Sequence, residues 1–219
     1  MSNLNPRQRK AVGKTIAIIV VAMTLFCTLF YVRITSPTIL SDRELKANGG
    51  LVLETPRRFT DFALVDHHGQ PFTKENLKGK WTLIFFGFTQ CPDICPTTMA
   101  TLNKTVDKLR SSEKEAYQVV MVSVDPERDT VDKLAEYVPF FNPDFVGVTG
   151  DPYQILNLTA QLNIAYHKVE MGEADYTVDH SSQIVLINPM GDYHAILRAP
   201  HYPETLRVVL RSIRGSFAH

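Results

Sequence analysis

Cysteine is scarce in this chain, with three in 219 residues. Three cannot staple a disulfide scaffold, so the fold must rest on a packed core, for which a hydrophobic content of 44% is sufficient. Net charge is lacking too. Lysine and arginine total 23, as do aspartate and glutamate, which removes any global electrostatic case for nucleic-acid binding. No internal repeat or low-complexity tract is present, and the length suits one ordinary domain plus an appendage.

The appendage is N-terminal. Thr15–Val32 contains no charged residue, and no acidic residue precedes it, only Arg7, Arg9, Lys10 and Lys14. At about 1.5 Å per residue this run reaches roughly 27 Å, close to the thickness of a hydrocarbon core. The basic flank keeps residues 1–14 in the cytoplasm and exports the chain beyond the anchor, residues 15–33. "YVRITSPTIL" offers no small-x-small cleavage site, so an uncleaved single-pass anchor is expected rather than a signal peptide. The short tail favours a bacterial inner membrane with a periplasmic domain over a mitochondrial membrane, where a longer leader is usual. Cys27, inside the run, reads as a small hydrophobe. Residues 34–54 show no sustained period and read as a tether to a domain spanning 55–219.

In that domain the pattern alternates strand and helix. "RRFTDFALVD" followed by the turn "DHHGQP" predicts a hairpin. "WTLIFFGF" and "YQVVMVSVD" are buried strands, "FVGVTG" is a shorter one, and helical spacing fills the intervals between them. After "AYHKVE" and a polar loop come "SQIVLIN", "DYHAILR" and a last helix from about Pro203 to Arg214. This order implies an α/β sandwich with a mostly parallel central sheet. A site directly after the first buried strand, at a helix N-terminus, is the thioredoxin-like arrangement.

That site is "FTQCPDICPTT", residues 88–98. A proline follows each cysteine and disfavours helical backbone angles at Cys91 and Cys95, with Pro96 suited to the first helical position. The helix is therefore expected to start just after the pair and to favour thiolates at both positions. Three residues separate the cysteines, where thioredoxin-type oxidoreductases have two. The wider loop can close a disulfide, but it also suits two sulfurs sharing one ion. In an exported domain such a pair is either a disulfide or a working site.

A third donor is sought among the histidines. His67 and His68 lie in a turn and read as solvated, His167 and His194 as surface residues of edge strands, and His219 as the chain end. His180 differs, because "TVDHSSQIVLIN" puts it at the mouth of a buried strand facing the cysteine loop. A cis-proline packs there in thioredoxin-like oxidoreductases, and "DHSSQ" has none. Two thiolates and an imidazole suit copper(I), can hold copper(II), and leave structural zinc one ligand short.

"FFGFTQCPDICPTTMATL", "VSVDPERDT" and "DYTVDHSSQIVLINPMG" together resemble the Sco/SenC family of membrane-anchored copper proteins. The resemblance covers about residues 55–214. It implies a thioredoxin-like fold and one copper ion on Cys91, Cys95 and His180. It also implies delivery of that ion to the binuclear copper centre of cytochrome c oxidase subunit II, with a periplasmic donor supplying it. Asp125 has two readings, capping its turn or approaching the site, and capping is preferred. Asp179 either orients His180 or caps the start of its strand. The leading expectation is thus a metallochaperone rather than a turnover enzyme. Its rival is a thiol–disulfide reductase whose Cys91–Cys95 dithiol, restored from its disulfide by a thiol reductase, keeps the oxidase's copper-site cysteines reduced.

Overall fold

The computed structural model describes residues 6–35, 39–109, 117–172 and 175–217, divided into a unit up to Thr38 and a second unit from Ile39 onward. The first is one helix, α1, Pro6–Thr35. Its segment Val12–Ile34 has a mean hydropathy of 2.4, and none of that segment is buried. It is long and apolar enough to cross a membrane. The hydroxyls of Thr24 and Thr28 donate to Val21 O (2.9 Å) and Thr24 O (2.7 Å), so the helix satisfies them internally. The expected tail, 1–14, is continuous with this helix from Pro6; residues 1–5 lie outside the described residues.

The stretch read as a tether is largely folded. Helix α2, Asp42–Ala47, is closed by a capping box in which Glu44 N–H donates to Ser41 Oγ and Ser41 N–H to Glu44 Oε2. Its Leu45 is buried, and Leu40 N–H donates to Ser212 Oγ at 2.7 Å. Strand β1, Gly50–Arg57, comes immediately after. The six-residue helix is too short to show a period and the burial of β1 does not alternate, which is why the sequence reads as linker; residues 36–38 lie outside the described residues.

Strands β2 (Ala63–Asp66) and β3 (Pro71–Thr73) form the expected hairpin. Strand β4 (Trp81–Gly87) is buried at every position and leads through α3 (Ile94–Asp107) to β5 (Tyr117–Ser123). Helix α4 (Val131–Phe141), β6 (Val146–Thr149) and α5 (Pro152–Gln161) come next. Strands β7 (Tyr166–Glu170) and β8 (Tyr176–His180) pair with each other as a separate two-stranded ribbon. The chain then adds β9 (Ile184–Ile187), β10 (Tyr193–Leu197) and α6 (Pro203–Phe217).

The main sheet runs β1-β10-β9-β4-β5-β6-β2-β3. It is mixed rather than mostly parallel: β4, β5 and β6 are parallel, and β9, β10, β1, β2 and β3 join antiparallel. A continuous apolar strand looks alike in either direction, so direction was not legible. Strand β10 is interior because β1 covers it, and His194 is accordingly buried against Trp81 and Phe217 rather than on the surface. His67 is also buried, its Nδ1 accepting from Gly147 N–H at 3.1 Å, while its neighbour His68 is exposed.

Gly49 links α2 to β1 with φ +81°, and a Cβ there would lie 2.9 Å from Arg198 O. Gly49→Ala is therefore expected to lower stability by about 1 kcal/mol or more. Urea unfolding of the full chain in detergent measures this, and an unchanged midpoint would mean that residues 39–57 are not integral to the fold.

Candidate metal centre

Strand β4 delivers the chain to the site. After Phe88 the backbone turns, and Cys91 N–H donates to Phe88 O at 3.3 Å. Helix α3 then begins at Ile94, between the cysteines and two residues earlier than the prolines suggest. Pro96 causes no conflict there, because a first-turn residue needs no N–H for the helix ladder. Cys95 sits in the first turn with no exposed surface, and its N–H points at Cys91 Sγ, 3.4 Å away. Cys91 itself is half-buried. Gly87 makes this possible, since a Cβ there would lie 2.9 Å from Cys95 Sγ and 2.7 Å from the Phe85 ring.

His180 arrives from the far side as the last residue of β8. Its Nε2 lies 3.4 Å from Cys95 Sγ, and its Nδ1 is 3.1 Å from Ser181 O. A carbonyl can only accept, so Nδ1 donates there, which fixes the ring with Nε2 as the atom facing the sulfurs. The rings of Phe85 and Phe88 meet the imidazole edge-on, each at 5.9 Å. The ligand atoms of Cys91, Cys95 and His180 all lie within 4.8 Å of one another, the one such cluster among the described residues.

Asp179 does not orient His180. It is exposed on the opposite face of β8, as strand alternation requires, and Ser181 O is the acceptor instead. The strand β8 itself was missed, because its polar residues read as loop. The turn at Asp125 is closed by its backbone carbonyl, which accepts from the N–H groups of Arg128 (3.1 Å) and Asp129 (2.9 Å), and not by a side-chain cap. Its buried carboxylate does more, pairing with Arg128 Nε and accepting from Tyr176 Oη at 2.8 Å.

Sequence reasoning also missed Asp129. This fully buried carboxylate accepts from Thr89 N–H (3.0 Å), Thr89 Oγ1 (2.6 Å) and Ser123 Oγ (2.6 Å), tying the start of the cysteine loop to the end of β5. Burial pushes its pKa up, and these hydrogen bonds oppose the rise. The "DPERDT" run held the signal, but not the partners. Of the other histidines, His167 is exposed and His201 donates from Nε2 to Ser182 O at 2.9 Å. His219 lies outside the described residues.

The two sulfurs are not equivalent. The Cys95 thiol donates to Cys91 and pulls the Cys91 pKa down to about 4, helped by His180 and by the N–H groups of Cys95 and Asp93 against the opposing effect of burial. Cys95 moves the other way, because its proton is held by Cys91 and its thiol is buried. The expectation of two thiolates is thus replaced by one thiolate on Cys91 and one thiol on Cys95. The set is two soft donors, one borderline imidazole and a half-open side, suited to a thiophilic ion or to thiol exchange.

A family model described as SCO1/SenC matches residues 53–214. The chain belongs to that family. A Stutzerimonas stutzeri protein named for copper binding is 36% identical to this SCO1/SenC chain over 193 residues, 87% of this chain and 91% of its own length. The mitochondrial SCO1 homolog 1 of Arabidopsis thaliana is 42% identical over 128 residues, 58% of this chain but only 38% of its own length. The crystal structure of Arabidopsis thaliana ScoI with copper bound superposes with a TM-score of 0.67 at 35% identity, covering 74% of this chain and 99% of that one. The likeness carries the thioredoxin-like α/β fold to this SCO1/SenC chain.

Thiolate absorbance of the reduced, metal-free protein should titrate with a midpoint near pH 4, far below an ordinary thiol. In Cys95→Ala the midpoint should rise strongly, because the donated hydrogen bond is gone. An ordinary thiol midpoint in the wild type would contradict the assigned charge.

Proposed function

We propose that this chain is a membrane-anchored copper metallochaperone that holds one copper ion on Cys91, Cys95 and His180. It receives the ion from a periplasmic donor and passes it to the binuclear copper centre of cytochrome c oxidase subunit II. The observation that carries this reading is the convergence of Cys91, Cys95 and His180, two segments 85 positions apart, on one point with no fourth ligand among the described residues. Three donors leave copper open to a fourth from a partner, which lets transfer proceed by ligand exchange. Cys91 and His180, both half-buried, are the ligands a partner reaches first, while the buried Cys95 holds the ion from the protein side. Copper binding displaces the Cys95 proton, so loading releases acid and weakens as pH falls.

In this reading residues 1–14 lie in the cytoplasm, residues 15–33 span a bacterial inner membrane, and the unit from Ile39 works in the periplasm. Anchoring confines donor, carrier and acceptor to one surface and raises their effective concentration.

A second reading, thiol–disulfide reduction, is favoured by the thiolate–thiol pair. The Cys91 thiolate attacks a substrate disulfide, forming a mixed disulfide and releasing one substrate thiolate. Cys95, on losing its proton, attacks the Cys91 sulfur, which releases the second substrate thiolate and leaves Cys91–Cys95 oxidised by two electrons. A thiol reductase would then restore the dithiol. His180 has no part in those steps.

That difference separates the readings. Anaerobic copper titration of the full chain in detergent should give tight one-to-one binding. His180→Ala should weaken it by more than about tenfold, since losing even an outer partner of a ligand costs about 10–100-fold. The Cys91–Cys95 disulfide should still form in that variant. Weak binding indifferent to His180→Ala would leave the reductase as the function.

A further inference from the structure

The three donors come from two parts of the chain that share no ladder. Cys91 and Cys95 are fixed by β4 and α3, whereas β8, which carries His180, pairs only with β7 among the described residues. We propose that Arg128 seats His180: its guanidinium clasps the β7–β8 ribbon to the cysteine loop, and without it the ion loses its nitrogen ligand while keeping both sulfurs. This inference rests on the three-ligand copper reading given above.

Arg128 touches both arms at once. Its Nη1 donates to Gln90 Oε1 at 3.1 Å, next to Cys91, and to Tyr176 O at 2.8 Å, at the start of β8. Its Nε pairs with the fully buried Asp125 carboxylate, and that carboxylate also accepts from Tyr176 Oη. The guanidinium carbon lies 3.8 Å from the Tyr176 ring centroid and 5.9 Å from that of Phe88, the ring that meets His180 edge-on. Only 18% of the Arg128 side chain is exposed. A planar fork can serve three acceptors and stack on a ring in this way, whereas a lysine ammonium is a single point charge.

The ribbon's ion pair to that turn is weak by comparison. Lys168 pairs with Glu127 at 2.6 Å, with side chains 44% and 62% exposed, and water screens such a pair. Leverage makes the clasp matter. Tyr176, Val178 and His180 share one face of β8, and four residues of strand are roughly 13 Å long. Four residues beyond His180, Ile184 of β9 pairs with Phe85 of β4, so freeing Tyr176 lets β8 turn about its His180 end and rotates the imidazole, against a tolerance of about 0.2 Å for a metal–ligand bond.

The test uses full-length protein in detergent loaded with Cu(II), reading nitrogen hyperfine structure by electron paramagnetic resonance, sulfur-to-copper absorption and copper affinity by chelator competition. Arg128→Gln is expected to keep one copper and the sulfur absorption, lose the nitrogen hyperfine signal, and bind copper about 10–100-fold more weakly. Arg128→Lys should behave likewise, and Arg128→Gln should cost nothing further in a His180→Ala background. Far-UV circular dichroism identifies any variant that has not folded. Should Arg128→Gln not fold, Arg128→Lys carries the same comparison. An intact nitrogen signal in the folded Arg128 variants, or losses that add in the double variant, would overturn the clasp and leave the three-ligand reading standing. A nitrogen signal unchanged by His180→Ala would overturn both.

Discussion

Cys91 and Cys95 hang where β4 runs into α3, and His180 hangs 85 positions beyond Cys95 on a ribbon outside the main sheet. The turn between β5 and α4 spans that gap. Asp129 takes Thr89 at the head of the cysteine loop, and Arg128 takes Gln90 beside Cys91 and the Tyr176 carbonyl on the ribbon. Asp125, beneath them, neutralises Arg128 and accepts from the Tyr176 hydroxyl. Charged hydrogen bonds among buried groups are strong when complete and costly when one partner is missing. One turn therefore fixes the distance between the sulfurs and the nitrogen, and the chemistry of the site depends on that distance.

The same geometry divides the labour between the cysteines. Gly87 lets Cys95 sink against the end of β4, where burial and its hydrogen bond to Cys91 keep its proton on. The charge moves to half-exposed Cys91, stabilised by N–H groups at the start of α3. For the proposed carrier this gives an outer cysteine that meets a partner and an inner cysteine that retains the ion. For the reductase reading it gives a nucleophile and a resolving thiol. The fold thus offers both chemistries, and His180 is the residue that tells them apart.

Much of this was legible in the sequence. The unbroken apolar run of β4, the two prolines after the cysteines and the missing proline before β9 pointed to the cysteine loop and to the histidine that the fold brings beside it. Other features were not legible, for physical reasons. Strand direction leaves no mark on a strand buried on both faces, so a sheet that read as mostly parallel is mixed. In the α2–β1 segment the helix is short and the strand's burial does not alternate, so it read as linker. Strand β8 is polar because one face is solvated, and it read as loop. His67 and His194 are buried by segments remote in the chain, which local pattern cannot reveal. Asp129 and Arg128 stood in a motif already singled out, yet their roles come from Thr89, Gln90 and Tyr176, and only the folded chain shows those partners.

The central claim is that two sulfurs and one ring nitrogen converge on one copper ion. X-ray absorption at the copper edge, on full-length protein loaded with one equivalent in detergent, counts those donors directly. The account predicts two sulfur scatterers and one imidazole nitrogen per copper, the nitrogen contribution disappearing in His180→Ala. A shell of sulfur alone in the wild type, or of nitrogen and oxygen alone, would contradict it.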